Sequence, residues 1–220
     1  MTREITPVWL FDIPKPKALL VVAHPDDETI FTGGLILSSR NTHWTIVCCT
    51  ETPSRRAEFI SACELLAEES SNPAKSILLG LIADHIEYSS LVDKLKAYSV
   101  GYDIVFTHNR QGEYGHEDHK LVHRCVVESI ANPNTWVFIS PGSSNVNQEV
   151  LRSLEPCGNY VLEVSPTIRR LKTRIFQECH ASQSQLYGYD SSGNLRQTDL
   201  RETLYWYFEN PGREECTFYR

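Results

Sequence analysis

Short runs of apolar, mostly β-branched residues recur along this chain, separated by stretches whose apolar positions return at helical spacing. The runs lie at 18–23, 44–49, 76–79, 103–107, 135–139 and 160–164, each short enough to be a buried strand. Stretches 29–39, 54–69, 88–99, 116–131 and 166–186 carry the three-to-four-residue period of helices. Strand then helix, repeated, predicts an α/β protein: a three-layer, Rossmann-like fold with a mainly parallel sheet and helices on both faces. Residues 141–159, rich in Ser, Asn, Pro and Gly, read as a loop with one short helix around 148–154. The tail 187–220 is assigned only loosely, and its aromatic group, Tyr205 to Phe208, is expected to pack in the core.

At 220 residues the chain can bury one sizeable core, and no composition shift marks a linker, so a single domain over 1–220 with its core at 17–186 is expected. There are 21 basic and 28 acidic residues, a net charge of −7, with no Lys/Arg stripe to follow a phosphate backbone. Nucleic acid is therefore not an expected partner. The seven cysteines are odd in number, lack any Cys-x-x-Cys pair and sit mostly in apolar runs. They read as reduced packing residues of a cytoplasmic protein, with a thiolate metal site as the alternative. Residues 1–16 lack the basic start and apolar run of a signal peptide, and no segment reaches the ~18 apolar residues of a membrane span. The oligomeric state stays open, a homo-oligomer included.

Two polar clusters interrupt this pattern where strands should end and helices begin, which is where open parallel sheets place ligands. The first is Ala23-His24-Pro25-Asp26-Asp27-Glu28, directly behind the run at 18–22. One imidazole and three carboxylates at the mouth of a buried strand are costly unless they hold a cation or pair with one another. The second is Tyr114-Gly115-His116-Glu117-Asp118-His119, after the strand at 103–107. His116 and His119 are three residues apart at a helix start and can face the same way. With His24 and Asp27, one of them would complete a three-ligand site, the pattern of catalytic zinc with one position left open. Such donors suit Zn2+, and Fe2+, Co2+ or Mn2+ would also fit. His119 with His123, four residues on, is a competing ligand pair.

The two motifs, in this order and at these strand ends, resemble the LmbE-like (PIG-L-type) zinc-dependent N-deacetylases. Gly33-Gly34, Arg55-x-x-Glu58, Asp103-Ile104-Val105 and Lys172 through Ser182-Gln183 extend the resemblance over 18–186. The segment 50–54 departs from it, being shorter than the glycine-containing loop usual there. The resemblance implies His24, Asp27 and His119 as metal ligands, Asp26 as the base that activates water, and His116 as oxyanion stabiliser or proton donor. It further implies Tyr114 reaching the same oxygen from a loop, Asp118 behind a histidine, and Arg55 on the substrate. The implied substrate is a small-molecule amino-sugar conjugate of the N-acetylglucosamine type, which would lose acetate.

Several positions carry two readings. Arg55 and Arg56 compete for the substrate contact. Asp84 could bind a sugar hydroxyl or simply form a turn. His108 could touch substrate or bond to neighbouring backbone. Glu28 is given no catalytic role, and His43, His85 and His180 are expected to be structural or solvent-facing. The rival functions are an amidase for another acyl or thiol-conjugate amide using the same centre, and a sugar-binding protein without turnover.

Overall fold

The computed structural model of the chain describes residues 10–113, 115–130, 132, 134–139, 159–184 and 201–207. Tyr114, Cys157, Cys216 and the helix expected around 148–154 lie outside them. The strands are β1 (Lys17–Val22), β2 (His43–Thr50), β3 (Ala74–Leu81), β4 (Ile104–Thr107), β5 (Thr135–Ile139), β6 (Asn159–Glu163) and β7 (Arg201–Tyr207). They form one sheet in the order β3-β2-β1-β4-β5-β7-β6. The first five strands run parallel, whereas β7 pairs antiparallel with both β5 and β6.

Alternate residues of β1 serve two cores. Ala18, Leu20 and Val22 pack with α1 (Asp27–Ser38), α2 (Pro53–Ser70) and a later helix, α5 (Pro166–Cys179). Leu19 and Val21 pack with α3 (Tyr88–Leu95) and α4 (Glu117–Ser129) on the other face. The unbroken apolar run that marked a strand is thus that of a sheet covered on both sides, and each fully buried Leu or Val contributes ~1.5–3 kcal/mol. The expected α/β class, mainly parallel with helices on both faces, is the observed one.

Element edges differ from expectation where local caps decide them. Thr52 accepts from the Arg55 amide and Ser165 from the Ile168 amide, each followed by a proline at the first helical position. The helix expected over 166–186 breaks at His180, and a short turn, α6 (Ala181–Ser184), follows. The larger correction is β7, which falls in the loosely assigned tail and inserts between β5 and β6.

The topology creates the site. From β1 the chain passes through α1 to β2 on one side, while β4 lies against β1 on the other, with Val21 beside Thr107. The carboxyl ends of β1 and β4 therefore flank the crevice where strand order reverses. Both polar motifs open there.

Candidate metal centre

β1 is followed by a turn in which Thr50 caps the Ala23 carbonyl through both its amide and its hydroxyl. α1 then starts with Asp27 and Glu28 in its first turn, where the helix dipole favours negative charge. From β4 the chain turns tightly at Gly112, with φ +68; a Cβ at this position would lie only 2.4 Å from the His116 carbonyl oxygen, so no larger residue fits. His116 then caps α4, its Nδ1 accepting from the Asp118 amide at 3.2 Å. His119 follows within the first turn, facing back toward β1.

Three atoms from these two segments converge. His24 Nδ1 lies 3.2 Å from His119 Nε2, and Asp27 Oδ2 lies 3.5 Å from each. Tetrahedral ligands held 2.0–2.1 Å from zinc stand about 3.3 Å apart, so the triangle has the edge lengths of such a site. The other nitrogen of each imidazole is tied to a carboxylate. His24 Nε2 donates to Asp118 Oδ2 at 2.9 Å, and His119 Nδ1 donates to Glu113 Oε2 at 2.6 Å. These bonds fix both tautomers with the inner lone pairs directed at the shared point, as carboxylate–histidine pairs behind metals do.

Among the described residues two further donor triads fall within 4.8 Å, His24–His116–Asp118 and His108–Glu113–His119. In the first, His24 Nε2 is already joined to Asp118, and in the second His119 Nδ1 is already joined to Glu113. The triangle of His24, Asp27 and His119 thus fits a divalent cation best.

The field of the site points the same way. Asp26, Asp27, Glu28, Glu113 and Asp118 are each no more than 5% exposed. Burial alone would lower the His24 pKa, yet the hydrogen bonds and charges of Asp118 and Asp27 carry it up to about 10. A cluster that draws protons this strongly also favours a metal cation. His119 moves the other way, lowered chiefly by burial, and neutral imidazole is the form that binds metal.

Asp26 occupies different surroundings. Its φ is +135, a region that side chains with a Cβ rarely enter and that costs ~1–3 kcal/mol. Its carboxylate meets Arg55 Nη2 at 2.9 Å, and the same nitrogen donates to the Pro25 carbonyl. Burial, followed by the charge of Asp27, pushes its pKa up to about 8, with Arg55 opposing.

The remaining expected residues divide. His116 is half-buried beside the triangle, its ring 4.6 Å from that of His24 and 4.7 Å from that of His119. Arg55 lies at the site, whereas Arg56 pairs with Glu51 on the surface. Asp118 stands behind His24 and also accepts the Asp84 amide at 2.8 Å. The Asp84 carboxylate is exposed, and it is the Asp84 backbone, at φ +61, that connects to the site. His108 is a correction. It is fully buried, its Nε2 accepts the Ala23 amide at 2.9 Å and its Nδ1 meets Glu113 at 2.9 Å, which leaves no nitrogen for substrate. His123 donates to the His108 carbonyl at 2.8 Å, so the His119–His123 pairing is replaced by a structural contact.

Sequence reasoning missed Glu113. One carboxylate oxygen bridges His108 and His119 while the other accepts the Asn109 amide at 2.8 Å. Spacing carries no signal that this loop acid is buried. His180 and Glu28 are also inside: His180 Nε2 bonds Glu28 Oε1 at 2.8 Å, and both are fully buried.

The sequence profile of the PIG-L family, described as GlcNAc-PI de-N-acetylase, matches residues 19–130. Protein L374 of Acanthamoeba polyphaga mimivirus is 28% identical, covering 56% of this chain and 62% of its own length. The 1D-myo-inositol 2-acetamido-2-deoxy-alpha-D-glucopyranoside deacetylase of Segniliparus rotundus is 25% identical over 54% of this chain and 51% of its own. The chain thus spans about half to three-fifths of the length of these relatives. The fold is also that of N,N'-diacetylchitobiose deacetylase from Pyrococcus horikoshii, at TM-score 0.56 and 21% identity over 79% of this chain and 72% of that one. Teicoplanin deacetylase Orf2, solved in a zinc-inhibited form, gives TM-score 0.60 at 13% identity over 86% and 97%. With residues 19–130 matched and both strand-end motifs inside that span, the chain belongs to the PIG-L family of metal-dependent deacetylases.

Proposed function

We propose that this chain hydrolyses the acetamide of an N-acetylglucosamine-type sugar in a small conjugate, releasing acetate and a free amine. The observation that carries the reading is the His24–Asp27–His119 triangle with a second, differently housed carboxylate, Asp26, one residue away. A divalent cation held by the triangle, zinc by its donor set, supplies Lewis acidity for the amide carbonyl and for the attacking water.

The chain's own residues do the rest. Asp26 accepts the proton of the attacking water and delivers it to the departing amine, a task suited to a carboxylate whose pKa is raised towards the working pH. Arg55 holds that carboxylate by one nitrogen and meets the substrate with the rest of its guanidinium. The Nδ1 of His116 already accepts the Asp118 amide, so its Nε2 carries the proton in the neutral ring and donates to the developing oxyanion. Asp118 and Glu113 keep His24 and His119 in register. The amino-sugar substrate draws on the named activities of two similar proteins, deacetylases of an inositol acetamido-glucopyranoside and of N,N'-diacetylchitobiose.

The test is acetate release by the purified chain, loaded in turn with zinc, iron, cobalt or manganese. N-acetylglucosaminyl-inositol and N,N'-diacetylchitobiose are compared with the same sugars bearing longer acyl groups. Acetate release that outpaces hydrolysis of the longer acyl groups supports the reading. Preference for a longer acyl group, or sugar binding without acetate under every metal, contradicts it.

A further inference from the structure

Asp26 is the residue just before α1, at the capping position, where an aspartate ordinarily turns its own side chain back to accept a backbone amide of the first turn. Here it does not: α1 has no side-chain cap, although the Asp26 carbonyl accepts from the Thr29 and Ile30 amides at 3.0 and 2.9 Å. The carboxylate instead faces Arg55. Something must hold the peptide at its positive φ against this local alternative.

The structure shows what does. The Asp26 amide donates to Glu28 Oε2 at 3.0 Å, a carboxylate two residues ahead. The other oxygen of Glu28 accepts from the Thr29 hydroxyl at 2.7 Å and from His180 Nε2 at 2.8 Å. His180 comes from beyond the end of α5, where the helix breaks. Its Nδ1 is buried with no hydrogen-bond partner among the described residues, and its Nε2 bonds to Glu28 and Thr29. The end of α5 is itself fastened to the same region. Lys172 Nζ donates to the Ile30 carbonyl at 2.6 Å, and the Ser182 amide and hydroxyl donate to Glu58 on α2 at 2.9 and 2.7 Å.

We propose that Glu28 and His180 form a positioning pair that holds the Asp26 peptide in its strained conformation, so that the Asp26 carboxylate faces the reacting centre instead of capping α1. Neither residue touches substrate. Glu28 captures the Asp26 amide, and His180 anchors Glu28 in a place where an unpaired carboxylate would not stay. The proposal rests on the base role given to Asp26 above, and it links the precision of that base to a residue 152 positions beyond Glu28 in the chain.

The test compares His180→Ala with His180→Gln, which keeps a donor where Nε2 stands, in the full zinc-loaded chain. His180→Ala is expected to lower kcat for acetate release at least tenfold, with KM and zinc stoichiometry within twofold of the parent, and His180→Gln to recover most of the loss. In crystals of zinc-loaded His180→Ala, Asp26 should relax to negative φ with its carboxylate on the α1 amides. Unchanged kcat in His180→Ala, an Asp26 still at positive φ, or a His180→Gln no better than the alanine variant overturns the proposal. Should His180→Ala not fold, Thr29→Val removes one bond to Glu28 with little change in volume. A threefold or larger fall in kcat at constant KM then supports the pair, and unchanged kcat overturns it. If the parent chain releases no acetate, the base role fails, yet the φ of Asp26 in the variant crystal still decides whether the pair sets the backbone.

Discussion

Asp26 and Asp27 are joined by one peptide bond and belong to two differently built halves of the site. On the ligand half, burial alone would raise the Asp27 pKa, but the surrounding imidazoles of His119, His108 and His24 hold it well below the usual range. On the proton half, burial and the negative charge of Asp27 push Asp26 up to about 8, and Arg55 only partly answers them. The ligand half is assembled by the ends of β1 and β4, with Glu113 and Asp118 behind it. The proton half is held by α2 and by the end of α5. In the proposed function, two identical side chains are divided between binding a cation and moving a proton by surroundings rather than by type.

The division breaks most visibly if Asp26 is replaced. Asp26→Asn should lower kcat by roughly 10²- to 10⁴-fold, the usual worth of a positioned base, while zinc stoichiometry by elemental analysis stays at one. Loss of zinc in that variant would mean that the two halves have been assigned the wrong way round. Next comes the support of the ligand half. Glu113→Gln cannot accept from His108, His119 and the Asn109 amide together, and zinc affinity measured by competition with a chelator should fall about 10- to 100-fold. An affinity equal to the parent's would show that Glu113 does not orient His119.

A smaller effect tests the layer beneath the ligand half. Burial holds His123 down to about 4, below its unfolded value of 6.5. The unfolded chain therefore takes up this proton first, so the stability is complete above pH 6.5 and about 3 kcal/mol of it is lost as pH falls through 6.5 toward 4. His123→Asn keeps a donor for the His108 carbonyl but cannot titrate, and denaturant unfolding should show a shallower pH dependence across that window. Equal slopes would contradict the assignment. The smallest effect sharpens the proton half. Asp26 acts ionised, so the rate rises with pH through its pKa, and Arg55→Gln removes the charge that lowers that pKa. The acid limb of the kcat profile should move to higher pH; a limb that stays in place would exclude the Arg55–Asp26 pair from the titration.

Much of the frame was legible because it follows from short-range rules. The unbroken apolar run Leu19, Leu20, Val21 and Val22 marks a strand covered on both faces, and acids beside a histidine at its end mark a polar demand that a core does not tolerate. His24 and Asp27, with one of His116 and His119, stood out because their chemistry is unusual for where they stand, and the family resemblance singled out His119. Glu113, Glu28 and His180 did not, since an acid in a loop or a histidine after a helix has the same local signature whether it ends up buried or exposed. Their burial depends on β4 lying against β1 and on α5 packing across α1 and α2. β7 was missed for a related reason: a strand within a tail is defined by its partners, here β5 and β6, more than by its own period.

The central claim is that one cation sits among His24 Nδ1, Asp27 Oδ2 and His119 Nε2. Anomalous diffraction at the zinc absorption edge, from crystals of the protein grown with one equivalent of zinc, tests it most directly. A single strong peak is expected within bonding distance, about 2.0–2.2 Å, of all three atoms. A peak on the Glu113 side of His119, or none near the two motifs, would contradict it.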